Sequence, residues 1–226
     1  MRKNTGMKNI FADKATVVLR KMLRNPQKKW VVRDFVKKGR LSLGMAQAVL
    51  EAMEKRGYVE RIKKGPESYT LLTNRETLLA DWLKEYRFDL NDIYTYYSPE
   101  KNFLKKIKKY LRDDQYALTL HTGANLITTF VNTQDIFFYL NSFDWDKDIL
   151  KLRQKLDLKE LVRGGNIHII KPFYKTSVFL HTQKIKGLIV VSNLQLYLDL
   201  YNFQPRGREH AEYLCKLLEE KGRRLD

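Results

Sequence analysis

Cysteine is almost missing from this chain: Cys215 stands alone, so no disulfide can close within the molecule, and no Cys/His grouping has metal-ligand spacing. A reducing compartment suits that usage. No apolar run approaches the roughly 18 residues that span a bilayer, and the basic start at residues 1–8 leads into no apolar stretch of the signal-peptide kind. The expectation is a cytoplasmic protein without a membrane partner. Repeats and low-complexity tracts are also lacking, which argues against solenoids and arrays. Acidic residues are scarce, 26 against 43 basic ones, for a net charge of +17. Such an excess repels itself in a compact state unless a polyanion or acidic partner sits nearby, and nucleic acid is the default.

What is present suffices for a folded protein. Apolar residues make up 43% and aromatic residues 12% of 226, enough for a core and for a small domain followed by a larger one. The charge is uneven: residues 1–73 hold 18 basic and 6 acidic side chains, net +12, and the remaining 153 are net +5. A polyanion contact therefore belongs to the N-terminal third.

Residues 1–9 read as a disordered basic arm. Helical spacing of Phe11, Ala15, Val18, Leu19 and Met22 runs to Asn25-Pro26, where proline stops a first helix. A short β-branched strand at residues 30–32 and a second helix ending at Gly39 follow. Ser42 caps a third helix through Lys55, with Ala46, Val49, Leu50 and Met53 inward and Gly57 closing it. Alternating stretches at 58–62 and 68–72 then flank a basic tip, which predicts a hairpin. Three helices and a hairpin are the winged-helix order. The predicted organisation is a winged helix-turn-helix domain over 10–73, a connector helix over 74–90 capped by Asn74, and an α+β domain over 91–226.

For the larger domain the pattern predicts helices at 103–111, 144–156, 194–201 and 205–221. Strands are expected at 116–120, 135–140, 166–171, 176–182 and 187–191.

The second helix of a helix-turn-helix must enter the major groove, so small or polar residues are needed in its first turn. Ser42, Gly44 and Gln47 stand there: a donor, a position of close backbone approach, and a partner for an adenine edge. Lys38 and Arg40 precede the helix as phosphate contacts, Lys63 and Lys64 occupy the hairpin tip, and Arg33 clamps the opposite side. Glu51, on the exposed side of the same helix, opposes phosphate and confines the contact to the first turn. A solvated charged face, or a winged helix that binds protein, is the plainer alternative.

Five stretches of the chain, 30–35 (WVVRDF), 78–87 (LLADWLKEYR), 163–168 (RGGNIH), 191–200 (VSNLQLYLDL) and 206–212 (RGREHAE), resemble the AbiEi antitoxins of type IV toxin-antitoxin systems in order and spacing. Asn193 departs from the resemblance, standing where the family has proline. The resemblance implies a repressor that binds inverted repeats in its own promoter through the winged helix. It also implies a larger domain that neutralises a nucleotidyltransferase-like toxin in abortive phage infection. It supplies no catalytic residue.

Candidate chemistry is thin, and neither a metal nor a cofactor is expected. Asp144, Asp146 and Asp148 have carboxylate spacing suited to a hard cation, but aspartates at a helix start more commonly cap it. The Arg163-Gly164-Gly165-Asn166 run is a phosphate cradle or, more plainly, a turn. His121, His168, His181 and His210 are isolated in sequence, and Cys215 lies on an apolar helix stripe as an inert buried thiol. His168 alternates with isoleucines, which places it on the solvent side of a strand. Arg206, Arg208 and Glu209 are a charged surface for an acidic partner or a helix start. Two rival readings remain: a metal-dependent nucleic-acid enzyme, and a transcription factor answering a ligand or partner without a toxin.

Overall fold

The computed structural model describes residues 9–36, 41–223 and 225. It is mixed α+β and divides into two compact units, one reaching Tyr86 and taking in Tyr174–Leu180, the other holding Arg87–Phe173 and His181–Leu225.

In the first unit, α1 (Asp13–Arg24) carries an acid in its first turn and Lys21 and Arg24 in its last, matching the helix dipole. Its buried stripe packs on α3 (Leu43–Lys55), whose Ala46, Val49, Leu50 and Met53 point inward. The Ser42 hydroxyl accepts from the Met45 N–H at 3.2 Å and so caps α3. Between them lies α2 (Arg33–Val36), whose Phe35 is fully buried and stacks on Trp30 at 5.0 Å. The predicted end of this helix at Gly39, together with Lys38 and Arg40, falls outside the described residues. The strand expected at 30–32 reduces to one bridge: Trp30 exchanges two backbone hydrogen bonds with Thr70, and Val31 and Val32 turn away into α2.

Strands β1 (Val59–Ile62) and β2 (Tyr69–Leu72) pair antiparallel from Val59↔Leu72 to Ile62↔Tyr69, and a short 3-10 turn at Gly65–Glu67 closes the tip. The next helix, α4 (Arg75–Glu85), buries Leu78 and Trp82, with Trp82 stacked on Phe11. Asn74 does not cap it through its side chain; the amide donates to the Gly57 carbonyl at 3.2 Å. The strand predicted over 176–182 is a run of turns instead. Its Thr176 and Ser177 N–H groups donate to the Asp13 carboxylate, a local anchor that strand propensity does not reveal.

The second unit is built on a mixed six-stranded sheet with β3 (Asp92–Tyr96), β6 (Ile167–Lys171), β5 (Ile136–Leu140), β4 (Tyr116–Leu118), β8 (Leu188–Val190) and β7 (Gln183–Ile185) side by side in that order. Pairs β5–β6 and β4–β8 are parallel and the others antiparallel. Strands β3 and β7 are additions to the predicted set, both at sheet edges. The stretch expected to be strand through residue 120 breaks at Thr119, and α6 (Leu120–Asn125) starts there. Helices α5 (Phe103–Tyr110) and α7 (Trp145–Leu156) pack on each other; α6, α8 (Asn193–Tyr201) and α9 (Gly207–Glu220) form a second cluster. The start of α9 is Gly207 rather than Pro205, because Arg206 stands at a left-handed φ of 60° as the N-cap, outside the helix. Ser192 caps α8 by accepting from the Gln195 N–H, and the side-chain Oδ1 of the adjacent Asn193 accepts from the Gln183 amide at 2.7 Å.

Candidate functional site

The first turn of α3, the start of α2 and the hairpin tip enclose a groove of about 740 Å³ in the first unit. Arg33, Gly44 and Gln47 line it. Gly44 has open space around its Cα, so backbone can be approached closely there. Ser42 is exposed beside the groove with its hydroxyl engaged in the cap. Lys63 and Lys64 stand exposed at the tip, Lys63 within 3.8 Å of Glu54. Of the eight expected contact residues, Arg33, Gly44 and Gln47 share the groove, Ser42 adjoins it, Lys63 and Lys64 are on the neighbouring hairpin outside its lining, and Lys38 and Arg40 lie outside the described residues.

Three features of this surface escape the sequence pattern. Leu43 and Val31 are exposed, although their types suit a core. Arg61, on an ordinary alternating strand, sits 3.7 Å from Glu51 and 3.5 Å from Glu54. It neutralises the two acids that α3 would otherwise present. The pairing joins residues from strand and helix that only the packed hairpin brings close. Gln47 also donates to Glu51, at 2.9 Å, which further ties down that carboxylate.

In the second unit, a cleft of about 760 Å³ opens among the 97–102 loop, the start of α5, the end of α6 and the 133–136 loop. Many of its polar groups are already committed. Asn166 brackets Ser98 by donating to its carbonyl and accepting from its N–H, both at 2.9 Å. Asn125 brackets Val131 in the same way, and Thr122 bridges Asp135 and Phe137. The glycines before Asn166 act as a turn: a side chain at Gly165 would lie 2.5 Å from the Tyr96 carbonyl oxygen.

The carboxylate run resolves into helix structure. Asp144 caps α7 by accepting from Lys147, and Asp148 accepts from Ser142 at 2.7 Å. Among the described residues no three His, Cys, Asp or Glu side chains gather as a metal site. Cys215 is half-exposed rather than buried, with its thiol 3.5 Å from Glu219, because it falls at the edge of the apolar stripe. Arg206 and Arg208 pair with Glu209 and Glu212 along α9.

The histidines are not all isolated. His121 on α6 and His210 on α9 meet Nδ1 to Nδ1 at 2.8 Å, with rings stacked 8° from parallel. Thr128 flanks His210 Nε2 at 2.7 Å and the Pro205 carbonyl lies 3.2 Å from His121 Nε2. Burial lowers both pKa values, that of His210 to about 4 with help from His121 and Arg206. His168 stacks on Phe137 and meets Thr95 at 3.0 Å, half-buried rather than solvent-facing; burial lowers its pKa as well. A carboxylate, Asp199, is fully buried in the same unit and accepts from Thr119, Tyr139 and Gln195. These groups knit α6, α8 and α9 to the sheet.

The family model described as transcriptional regulator, AbiEi antitoxin, type IV toxin-antitoxin system matches residues 71–219. The chain belongs to that family. No curated protein and no solved structure matches it. The AbiEi match covers α4 and nearly all of the second unit, while α3 and its groove precede it. No helix among the described residues is long and apolar enough to cross a membrane.

Proposed function

We propose that this AbiEi-family chain is a DNA-binding repressor of its own operon and the non-enzymatic antitoxin of a type IV pair, acting in the cytoplasm. In this reading residues 10–73 form a winged helix-turn-helix domain, α3 is the recognition helix and the hairpin is the wing. The following domain counters a nucleotidyltransferase-like toxin in abortive phage infection.

The observation that carries it is the first-unit surface. The start of α3 and Arg33 line one groove, with Lys63 and Lys64 exposed on the hairpin next to its lining residue Gly65, in a segment of net charge +12. Helix-turn-helix proteins present the start of the recognition helix to base edges and use flanking cations and backbone on phosphates. Arg33, Ser42, Gly44, Gln47, Lys63 and Lys64 take those roles here, and Lys38 and Arg40 add phosphate contacts on charge and sequence position alone.

A band-shift with the DNA upstream of its own coding sequence tests the reading. The expected result is a shift that weakens steeply with salt and is stronger on inverted repeats than on unrelated duplex. Absence of any shift at low ionic strength refutes it. Co-expression with the neighbouring gene product tests the antitoxin role, with rescue of growth as the expected outcome.

A further inference from the structure

Between Leu43 and Glu54, α3 carries neither lysine nor arginine. Those two side chains are the usual partners of the guanine edge, which shows two acceptors in the major groove. The first turn offers Leu43 instead, 52% exposed, with Gly44 and Gln47, and Val31 at 42% exposed lines the same groove. Two large aliphatic side chains left in water at one groove call for an apolar counterpart. The apolar group that a base pair displays in the major groove is the thymine methyl.

Gln47 strengthens the case. Its Nε2 donates to Glu51, leaving the carbonyl oxygen and a second N–H, the pair that matches adenine N6 and N7. Cations flank this centre, Arg33 on the groove wall and Lys63 and Lys64 exposed on the hairpin, while Arg61 lies against Glu51 and Glu54, and Glu67 is the acid exposed at the tip. An apolar and amide centre framed by cations is complementary to a duplex, where base edges lie between two phosphate strands.

We infer that α3 reads A·T pairs, with Leu43 against a thymine methyl and Gln47 on adenine. The inference rests on the DNA-binding reading above and adds the sequence class that the surface selects.

The test is selection by the full chain from random-sequence duplexes, followed by remaking the winning duplex with deoxyuridine in place of thymine. That exchange removes only the methyl groups. The winners should carry A·T pairs at the contacted positions, and deoxyuridine should weaken binding roughly fourfold per contacted methyl. Leu43→Ala should bind both duplexes alike, and Gln47→Ala should lose roughly tenfold in adenine preference at one position. Both side chains lie outside the core, so neither variant threatens folding. Salt-sensitive binding that selects G·C, or that ignores the exchange, overturns the A·T inference and leaves DNA binding standing. No salt-sensitive binding to any duplex overturns both.

Discussion

His121 and His210, 89 residues apart in sequence, share one short contact between their Nδ1 atoms at 2.8 Å. With both rings neutral, one proton lies between the two Nδ1 atoms. When His210 Nδ1–H donates to His121 Nδ1, His121 Nε2–H donates to the Pro205 carbonyl, and the single proton of the Thr128 hydroxyl goes either to His210 Nε2 or to the Ala124 carbonyl 3.0 Å away. The one-proton contact excludes charge on both rings at once, and burial disfavours the charged form of each.

Acid should therefore loosen the second unit. The folded pKa of His210 lies at about 4 and that of an unfolded histidine near 6.5, so between those values the unfolded chain binds more protons and stability falls as pH falls. The loss from this ring is on the order of 3 kcal/mol across the window. Above pH 6.5 it contributes no pH dependence. Melting of the wild type and His210→Gln between pH 7 and pH 4 measures it. The variant should be less stable at pH 7 and show a shallower fall; parallel curves would count against the assignment.

Much of the helical frame was legible because apolar spacing and caps agree with the final packing, as in α3 with Ser42 and its inward Val49 and Met53. Edge strands β3 and β7 were not, since a short edge strand carries little alternation to distinguish it from loop. The 176–182 segment shows the opposite error: β-branched and aromatic residues suggest a strand, but Asp13 holds the backbone in turns. At the candidate site, residue types and charge pointed to the first turn of α3. Arg61 could not be singled out, because its meaning lies in its distance from Glu51 and Glu54. The histidine pair was hidden for the same reason.

Arg61→Ala should weaken DNA binding without removing a DNA contact. The side chain is 11% exposed between the two glutamates, and its loss sets two negative charges against the phosphates. At about 1 kcal/mol per exposed charge, the expected drop is about fivefold to thirtyfold at low salt. Adding Glu51→Gln and Glu54→Gln in the same chain should restore most of it. Titration by fluorescence anisotropy decides, and an affinity unchanged by Arg61→Ala would show that the glutamates do not face DNA.

Gly207→Ala should destabilise the second unit by about 1–3 kcal/mol. The added methyl meets the Leu200 carbonyl oxygen and the Phe203 side chain, so α9 must move away from α8. Backbone cannot yield as a flexible side chain does. Gly44→Ala is the control, with nothing near its added methyl and a loss below about 1 kcal/mol; if anything, alanine suits a helix better. Urea unfolding of both variants compares them, and equal midpoints would contradict the packing.

Tyr139→Phe and Asp199→Leu should separate one hydrogen bond from a whole network. Removing the Tyr139 hydroxyl deletes a 3.0 Å bond to Asp199 while Thr119 and Gln195 still donate to that carboxylate. A loss of about 1 kcal/mol follows. Asp199→Leu leaves three buried donors without this acceptor and should cost about 3 kcal/mol or more. Chemical denaturation supplies both values, and a leucine variant as stable as the tyrosine variant would mean that the donors find other partners.

Salt dependence distinguishes phosphate contacts from base readers. A cation that neutralises one phosphate contributes about 0.9 to the slope of log K against log salt. Arg33→Ala and Lys64→Ala, both at exposed positions, should each lower the slope by about that amount and weaken all duplexes alike. Lys63→Ala should lower it less, because Lys63 already lies 3.8 Å from Glu54 and its removal releases that acid. Gln47→Ala should leave the slope unchanged while altering preference among sequences, since its amide carries no charge. Binding measured over a range of salt on a preferred and an unrelated duplex tests all four. A slope change from Gln47→Ala, or none from Arg33→Ala, would place the phosphates elsewhere on the unit.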